Sequence, residues 1–197
     1  ADGQERIEFT MPAVCPVCGA SVTRDEDEAA YRCNGIECPA RLYRSIVHFV
    51  SRDAMNIDKI GPAVINVLLE NGLIAAVPDL YLLSEKKQSL LAIERMGEKS
   101  VDNMLAAIEK SKANEFYRVI FGLGIRHIGV KASKLLAKRF KNIDALMSAS
   151  VEEIENIDDF FLKITDLPSF LKKYNLGIEY MDIVLKVLKL IFEIFRI

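Results

Sequence analysis

The sequence predicts a mostly α-helical protein in which a small four-cysteine module precedes a tandem series of helical hairpins. Two observations support this prediction: four cysteines fall in two closely spaced pairs near the N-terminus, and an Ile-x-x-Ile-Gly pattern recurs before helix-period apolar runs. The chain has 197 residues, of which 51% are hydrophobic, which is enough to bury a core. We expect the module at residues 1–40, the hairpin domain at residues 41–157 and a divergent helical tail at residues 158–197.

Both cysteine pairs lie on short segments rich in glycine and proline. Two residues separate Cys15 from Cys18, four separate Cys33 from Cys38, and fourteen lie between the pairs. Four thiolates at this spacing fit the tetrahedral shell of a structural Zn²⁺ ion, which leaves no open position for chemistry. Two disulfides are the alternative, and a reducing compartment disfavours them. Because the module has too little apolar surface to fold by burial alone, we expect zinc to supply most of its folding free energy.

The recurring pattern is that of a helix-hairpin-helix motif. Its three copies end at glycines that lie 36 and 32 residues apart, Gly61, Gly97 and Gly129. A glycine in this tight turn is expected to supply a positive φ and to let the chain approach its target closely. The free N–H groups at the start of the following helix would then point at a phosphate. A fourth copy begins at Ile154 but has Asp158 in place of the glycine, so its phosphate contact is expected to be lost.

One such hairpin alone is slightly more typical of an ordinary αα-turn than of a phosphate clamp, whereas three in one register favour binding to DNA. The formal net charge of the chain is −2, but residues 110–141 hold nine Lys or Arg and one acid, a local net charge of +8. A basic face of this kind suits phosphate binding, which carries no base information. The candidate DNA contacts around the three turns are Gly61, Gly97, Lys99, Ser100, Arg126, His127, Gly129, Lys131 and Lys134.

The two ends of the chain bear on its location and assembly. Residues 1–11 are polar and lack the apolar core of a secretory signal, which favours a cytosolic setting. In Tyr180–Ile197 the charged residues fall on one narrow helical stripe, and the rest of that surface is apolar. The segment is too interrupted to span a membrane. It could pack on the chain's own hairpins, on a second copy or on a membrane surface, and we favour self-packing or a homodimer.

Several motifs occur in one order along the chain: CPVCG…CNGIECPA, NIDKIGPAVINVLLENGLI, GEKSVDNMLAAIEKSK and FGLGIRHIGVKASKLLAKRF. In this order and spacing, across residues 5–157, the chain resembles the zinc-finger and helix-hairpin-helix region of bacterial NAD⁺-dependent DNA ligases. The resemblance implies that the four cysteines bind zinc and that the hairpins hold the minor groove of a nicked duplex on both sides of the break. Enzymes of that family seal nicks through an adenylated lysine, with NAD⁺ and Mg²⁺ bound in adenylation and OB domains.

Two departures from that family pattern limit the resemblance. The chain has no Lys-x-Asp-Gly nucleophile motif, so it is not expected to activate a phosphate with NAD⁺ on its own. After Ile157 the pattern is expected to end, either because the fourth phosphate contact is lost or because a truncation or a change of reading frame altered the C-terminus. A stand-alone module that recognises DNA junctions or nicks is therefore the alternative function, and a helical scaffold whose hairpins are only packing turns is a third.

Overall fold

A computed structural model describes residues 9–24, 29–35, 37–94, 96–125, 128–150, 153, 154 and 157. The chain divides into two compact units, Ala1–Arg44 and Ser45–Ile197. The predicted tail at residues 158–197 lies outside the described residues, and so does the segment Tyr180–Ile197 through which a homodimer is expected. The domain boundaries inferred from the sequence, after residues 40 and 157, stay predictions.

The first unit contains a two-stranded antiparallel hairpin. Strand β1, Val22–Arg24, pairs with strand β2, Tyr31–Cys33. Cys15 and Cys38 are the only buried residues in the described part of this unit. An apolar core is therefore lacking there, which agrees with the expectation that burial alone cannot fold the module.

Helices supply the remaining regular structure of the described residues, and a mostly α-helical fold is confirmed. Each of these helices is too short or too polar to cross a lipid bilayer. Helix α1 begins in the first unit and continues into the second. In chain order the helices are α1 (Pro39–Val50), α2 (Pro62–Glu70), a 3₁₀ helix (Val77–Lys86), α3 (Lys87–Leu91), α4 (Glu98–Ser111), α5 (Phe116–Gly122), α6 (Val130–Phe140) and α7 (Ile143–Met147).

Helix α6 shows how the apolar periodicity places the core. Its apolar residues recur every fourth position and bury one face, while lysines occupy the opposite face. Ile154 and Ile157, the apolar pair of the degenerate fourth repeat, pack against the cluster that this face forms with α5. The buried members of the cluster are Ile120, Ala132, Leu136 and Phe140.

The three predicted helix starts are confirmed, because α2, α4 and α6 begin directly after Gly61, Gly97 and Gly129. The prediction that these glycines have a positive φ is wrong: their φ angles are −99°, −70° and −82°. Each glycine is the N-cap residue of its helix, and an N-cap adopts an extended backbone. In the first hairpin the positive φ, 69°, belongs to Lys59, two residues before the glycine.

Candidate metal centre and nucleic-acid interface

The four cysteine sulfurs form one cluster. All four Sγ atoms lie within 4.8 Å of one another, with 3.4 Å between Cys18 and Cys33 and 4.0 Å between Cys15 and Cys38. A tetrahedral zinc ion with Zn–S bonds of about 2.3 Å places its sulfurs about 3.8 Å apart. A disulfide requires about 2.05 Å, and none of the four cysteines forms one. The arrangement therefore fits a single tetrahedral zinc ion.

Backbone groups around the cluster favour thiolates. The amides of Cys18 and Val17 donate hydrogen bonds to Cys15 and lower the pKa of its thiol to about 6. The amide of Ala20 acts in the same direction on Cys18, but hydrogen bonds with Cys33 and the other thiols, together with burial, raise the pKa of Cys18 to about 12. Four negative sulfurs this close repel one another, and a divalent cation at their centre removes that repulsion.

Glycine at position 35 is required by the metal cluster. Its amide donates to the Sγ of Cys33 at 3.3 Å, a contact that stabilises a thiolate ligand. A Cβ at this position would lie 2.8 Å from the Sγ of Cys18, closer than packed atoms approach. Any other residue at position 35 would therefore displace a ligand sulfur.

The amide ends of the three hairpin helices are open. A Cβ added at Gly61, Gly97 or Gly129 would meet no atom of the described part of the chain within 4 Å, so packing there does not require glycine at these positions. Glycine also has no side chain to cap the first-turn N–H groups, which lack acceptors within the helix. An external acceptor can therefore approach each helix start closely. Helix α2 offers one donor fewer because its first residue is Pro62.

The first two hairpins meet at the start of α4. A shallow pocket there is lined by Lys59 from the first hairpin and by residues of the second hairpin that include Gly97, Lys99 and Ser100. The predicted contacts Lys99 and Ser100 are thus together and exposed. Glu98 also lines the pocket and adds one negative charge against the two lysines.

The third hairpin presents a row of cations along α6. Lys131, Lys134 and Lys138 are exposed and lie three and four residues apart, which places them on one face of the helix. The Nζ of Lys134 lies 5.0 Å from the centre of the Tyr117 ring, a cation–π distance. Tyr117, Lys134 and Lys138 also line a groove between α5 and α6.

Not every cation of residues 110–141 is available to DNA. Arg126 and His127, both candidate contacts, lie outside the described residues and stay predictions. Arg118 is used inside the protein, because its guanidinium donates to the carbonyls of Arg52 and Ala54. Lys112 forms an ion pair of 2.6 Å with Glu109.

Two residues that lie beside the predicted contacts, Lys59 and Tyr117, were not predicted from the sequence. Lys59 occupies a left-handed backbone position that no local pattern indicates, since lysine rarely adopts it. Tyr117 carried a signal that could have been used: it is an aromatic residue inside the most basic stretch of the chain, and it lies among cations in the structure.

Family models match both parts of the chain. Residues 14–40 match the C4 zinc finger domain of NAD-dependent DNA ligases. Residues 51–110 match a SAM-like helix-hairpin-helix tandem, and residues 118–166 match a helix-hairpin-helix motif. This last match extends past Ile157, so the expectation that the family pattern ends there is wrong for residues 158–166.

Curated relatives with the name DNA ligase share this region. One from Acetivibrio thermocellus is 63% identical over 153 residues, which are 78% of this chain and 23% of the relative. One from Brevibacillus brevis is 53% identical over the same coverage. The chain belongs with the zinc-finger and helix-hairpin-helix region of the NAD-dependent DNA ligases. It spans about a quarter of the length of these relatives.

The ligase family therefore accounts for both features of the site. The zinc-finger match contains all four cysteines, and the two helix-hairpin-helix matches contain the open helix starts at Gly61, Gly97 and Gly129. A DNA ligase from Thermoanaerobacter sp. aligns over 178 residues, or 89% of this chain, at 48% identity. Similarity to the DNA ligases thus continues beyond the described residues.

Proposed function

We propose that this chain is the part of a bacterial NAD⁺-dependent DNA ligase that binds the sugar-phosphate backbones of a nicked duplex without reading its base sequence. The observation that supports the proposal is the set of three open helix starts at Gly61, Gly97 and Gly129, where an added Cβ would meet no atom of the described residues within 4 Å. Exposed lysines follow two of them, at Lys99 and Lys131.

The chemistry of such helix starts selects phosphate and ignores base identity. First-turn amides and the positive end of the helix dipole attract an anion, and a glycine in front lets a phosphate oxygen reach hydrogen-bonding distance. Lysines beside the turn add positive charge that attracts the phosphates, and dissolved salt weakens this attraction by screening it. Contacts of this kind position a protein on DNA and carry no sequence information, which suits an enzyme that acts at any nick.

The row of lysines on α6 extends the proposed interface beyond the third turn. Lys131, Lys134 and Lys138 share one exposed face, so a single DNA strand running along α6 could meet all three. Arg126 and His127 precede Gly129 in the sequence and remain part of the proposal. Lys59 joins it through the pocket that it lines with Lys99.

Zinc has a structural role in this proposal. Four cysteine ligands fill a tetrahedral shell, so the ion holds the first unit together and takes no part in chemistry. Nick sealing would use NAD⁺ and Mg²⁺ bound to other parts of the ligase. The alternative function, a stand-alone DNA-structure-binding module, requires that no Lys-x-Asp-Gly segment accompany this chain in its full gene.

Salt-dependent binding tests the proposal. Fluorescence anisotropy with nicked duplexes of unrelated sequence should give equal affinities, and log Kd should change linearly with log salt with a slope of about 0.9 per phosphate contact. Six contacts would thus give a slope of about 5. Absence of binding at low salt, a flat salt response, or a strong preference for one sequence would refute backbone binding.

Two further assignments belong to this proposal. We place the protein in the bacterial cytoplasm, because the similar DNA ligases come from bacteria and act on DNA. We also propose that the apolar segment Tyr180–Ile197 mediates a homodimer. Sedimentation velocity of the full chain would test the second assignment, since a monomer at all concentrations contradicts it.

A further inference from the structure

The helices of the second unit from the 3₁₀ helix to α7 fall into two sets. The 3₁₀ helix, α3 and α4 pack on one another, and α6 packs on both α5 and α7. Across the part of the chain that the structure describes, no helix of one set packs extensively along a helix of the other. Another element must therefore hold the first two hairpins in place relative to the third.

That element is a seam with two sides. One side is residues 48–57, the end of α1 and the turn after it, and the other is residues 114–124, which contain α5. The side-chain amide of Asn114 donates through Nδ2 to the carbonyl of Met55 at 2.6 Å. Arg118 donates through Nη1 to the carbonyl of Ala54 at 2.5 Å and to that of Arg52 at 3.2 Å.

Aromatic packing closes the seam at its other end. The ring of His48 donates through Nε2 to the carbonyl of Phe121 at 2.8 Å and meets its ring edge-to-face, with 4.9 Å between centroids. Phe49 is fully buried, and a Cβ at Gly122 would lie 3.0 Å from its ring. With a larger residue at position 122, the ring of Phe49 would have to shift by a few tenths of an ångström.

The seam also reaches both sets of helices. Phe49 packs edge-to-face on Tyr81 of the 3₁₀ helix, at 6.3 Å between centroids. The hydroxyl of Tyr81 is hydrogen bonded to Ser111 at the end of α4, at 3.1 Å. On the other side of the seam, α5 packs on α6. Residues 48–57 then lead directly into the first hairpin turn at Gly61.

We propose that this seam sets the distance and orientation between the first two hairpins and the third, so that both parts bind one duplex at the same time. Asn114 and Arg118 are its positioning residues, and Arg118 does not contact phosphate although it lies in the most basic stretch of the chain. The inference rests on the proposed DNA binding. Its physical basis is that a rigid link makes the second contact intramolecular and preorganised, whereas a loose link lowers the effective concentration of the second site.

The test uses two seam variants of the full chain. Asn114→Ala removes one bond to Met55 without changing charge. Arg118→Lys keeps the charge, but its ammonium ends one bond short of the Nη1 position that donates to both carbonyls. Lys134→Gln is the control, because it removes an exposed charge outside the seam. Thermal unfolding first confirms that each variant is folded.

Binding is measured on a series of duplexes from about 8 to about 24 base pairs, the short ones offering room for one set of hairpins. Each seam variant should bind the long duplex about tenfold more weakly and the short duplex with less than about a twofold change, because the effective concentration of the second set of hairpins falls while each set keeps its own phosphate contacts. Its salt slope should stay that of the wild type, whereas Lys134→Gln should lower the slope by about 0.9. Wild-type affinity for the long duplex in both seam variants, or a slope lowered by Asn114→Ala, overturns the proposal.

A measurement without DNA separates this inference from the proposed function. Residual dipolar couplings of the amides in α4 and α6 should fit one alignment tensor in the wild type and two in the seam variants. Wild-type chain that fails to bind DNA would refute the proposed function alone. If α4 and α6 share one alignment tensor in both seam variants, the proposed role of the seam is refuted, independently of the DNA-binding measurements.

Discussion

Replacing Gly129 with valine separates the binding role of the third hairpin from its folding role. The backbone at this position, with φ −82° and ψ −177°, is extended and accepts valine without strain. A Cβ there meets no atom within 4 Å. Replacing glycine by valine at an N-cap destabilises the folded protein by roughly 0.5–1 kcal/mol. The lower conformational entropy of the unfolded chain stabilises it by roughly 0.4–1 kcal/mol. The free energy of unfolding should therefore change by less than about 1 kcal/mol.

DNA affinity should fall much more. The valine side chain would occupy the space through which a phosphate reaches the first-turn amides of α6. Hydrogen bonds to a charged group contribute about 1.5–3 kcal/mol each, so losing one weakens binding at least about tenfold. Anisotropy titration with a nicked duplex measures the loss, and urea unfolding measures stability. Ala75→Val, which adds bulk at an exposed site away from the turns, should leave affinity unchanged.

The result that refutes this reasoning is simple to recognise. If Gly129→Val binds DNA within about twofold of the wild type while remaining folded, no phosphate approaches that helix start. The third hairpin would then be a packing turn. A large loss of stability would instead contradict the extended backbone and the open space observed at Gly129.

Three further changes test other parts of the molecule. Cys33→Ser should release the metal and unfold the first unit while α4 and α6 keep their helicity. The zinc content measured by mass spectrometry should fall from about one ion per chain to none, and retained zinc would contradict a four-cysteine shell. Lys131→Gln with Lys134→Gln should lower the salt slope by about 1.8 equally on all sequences, and an altered sequence preference would argue against backbone binding. Gly122→Ala should destabilise the second unit by about 1–3 kcal/mol in urea unfolding, because its Cβ would press on the ring of Phe49, and an unchanged midpoint would contradict that close contact.

The metal site and the helix starts could be read from the sequence because both depend on short-range patterns. A Cys-x₂-Cys pair can bind one ion only if the intervening turn is tight, and glycine before an apolar helical run indicates where a helix begins. All four cysteines and all three helix starts lie where these patterns predicted them.

The conformation of the hairpin glycines was not predictable by the same reasoning. Glycine is associated with positive φ, yet these three are extended N-caps, and the left-handed residue of the first turn is Lys59. At Gly61 the sequence pattern marks a residue that lacks a side chain beside open space among the described residues, and it does not mark a requirement for an unusual φ. Open space in front of a residue depends on the surrounding fold and is invisible to a local pattern.

The sequence by itself determined the composition of the site: four thiols for one metal ion, three glycine-led helices and a concentration of positive charge in residues 110–141. Only the tertiary structure decided which of those charges face outward. Arg118 and Lys134 look equivalent in the sequence, but one donates to carbonyls more than 60 residues away along the chain and the other lies exposed on α6. The physical reason is that backbone carbonyls at a turn, such as those of Arg52 and Ala54, accept hydrogen bonds from whichever donor the fold places beside them. No periodic pattern in the sequence predicts such a long-range contact.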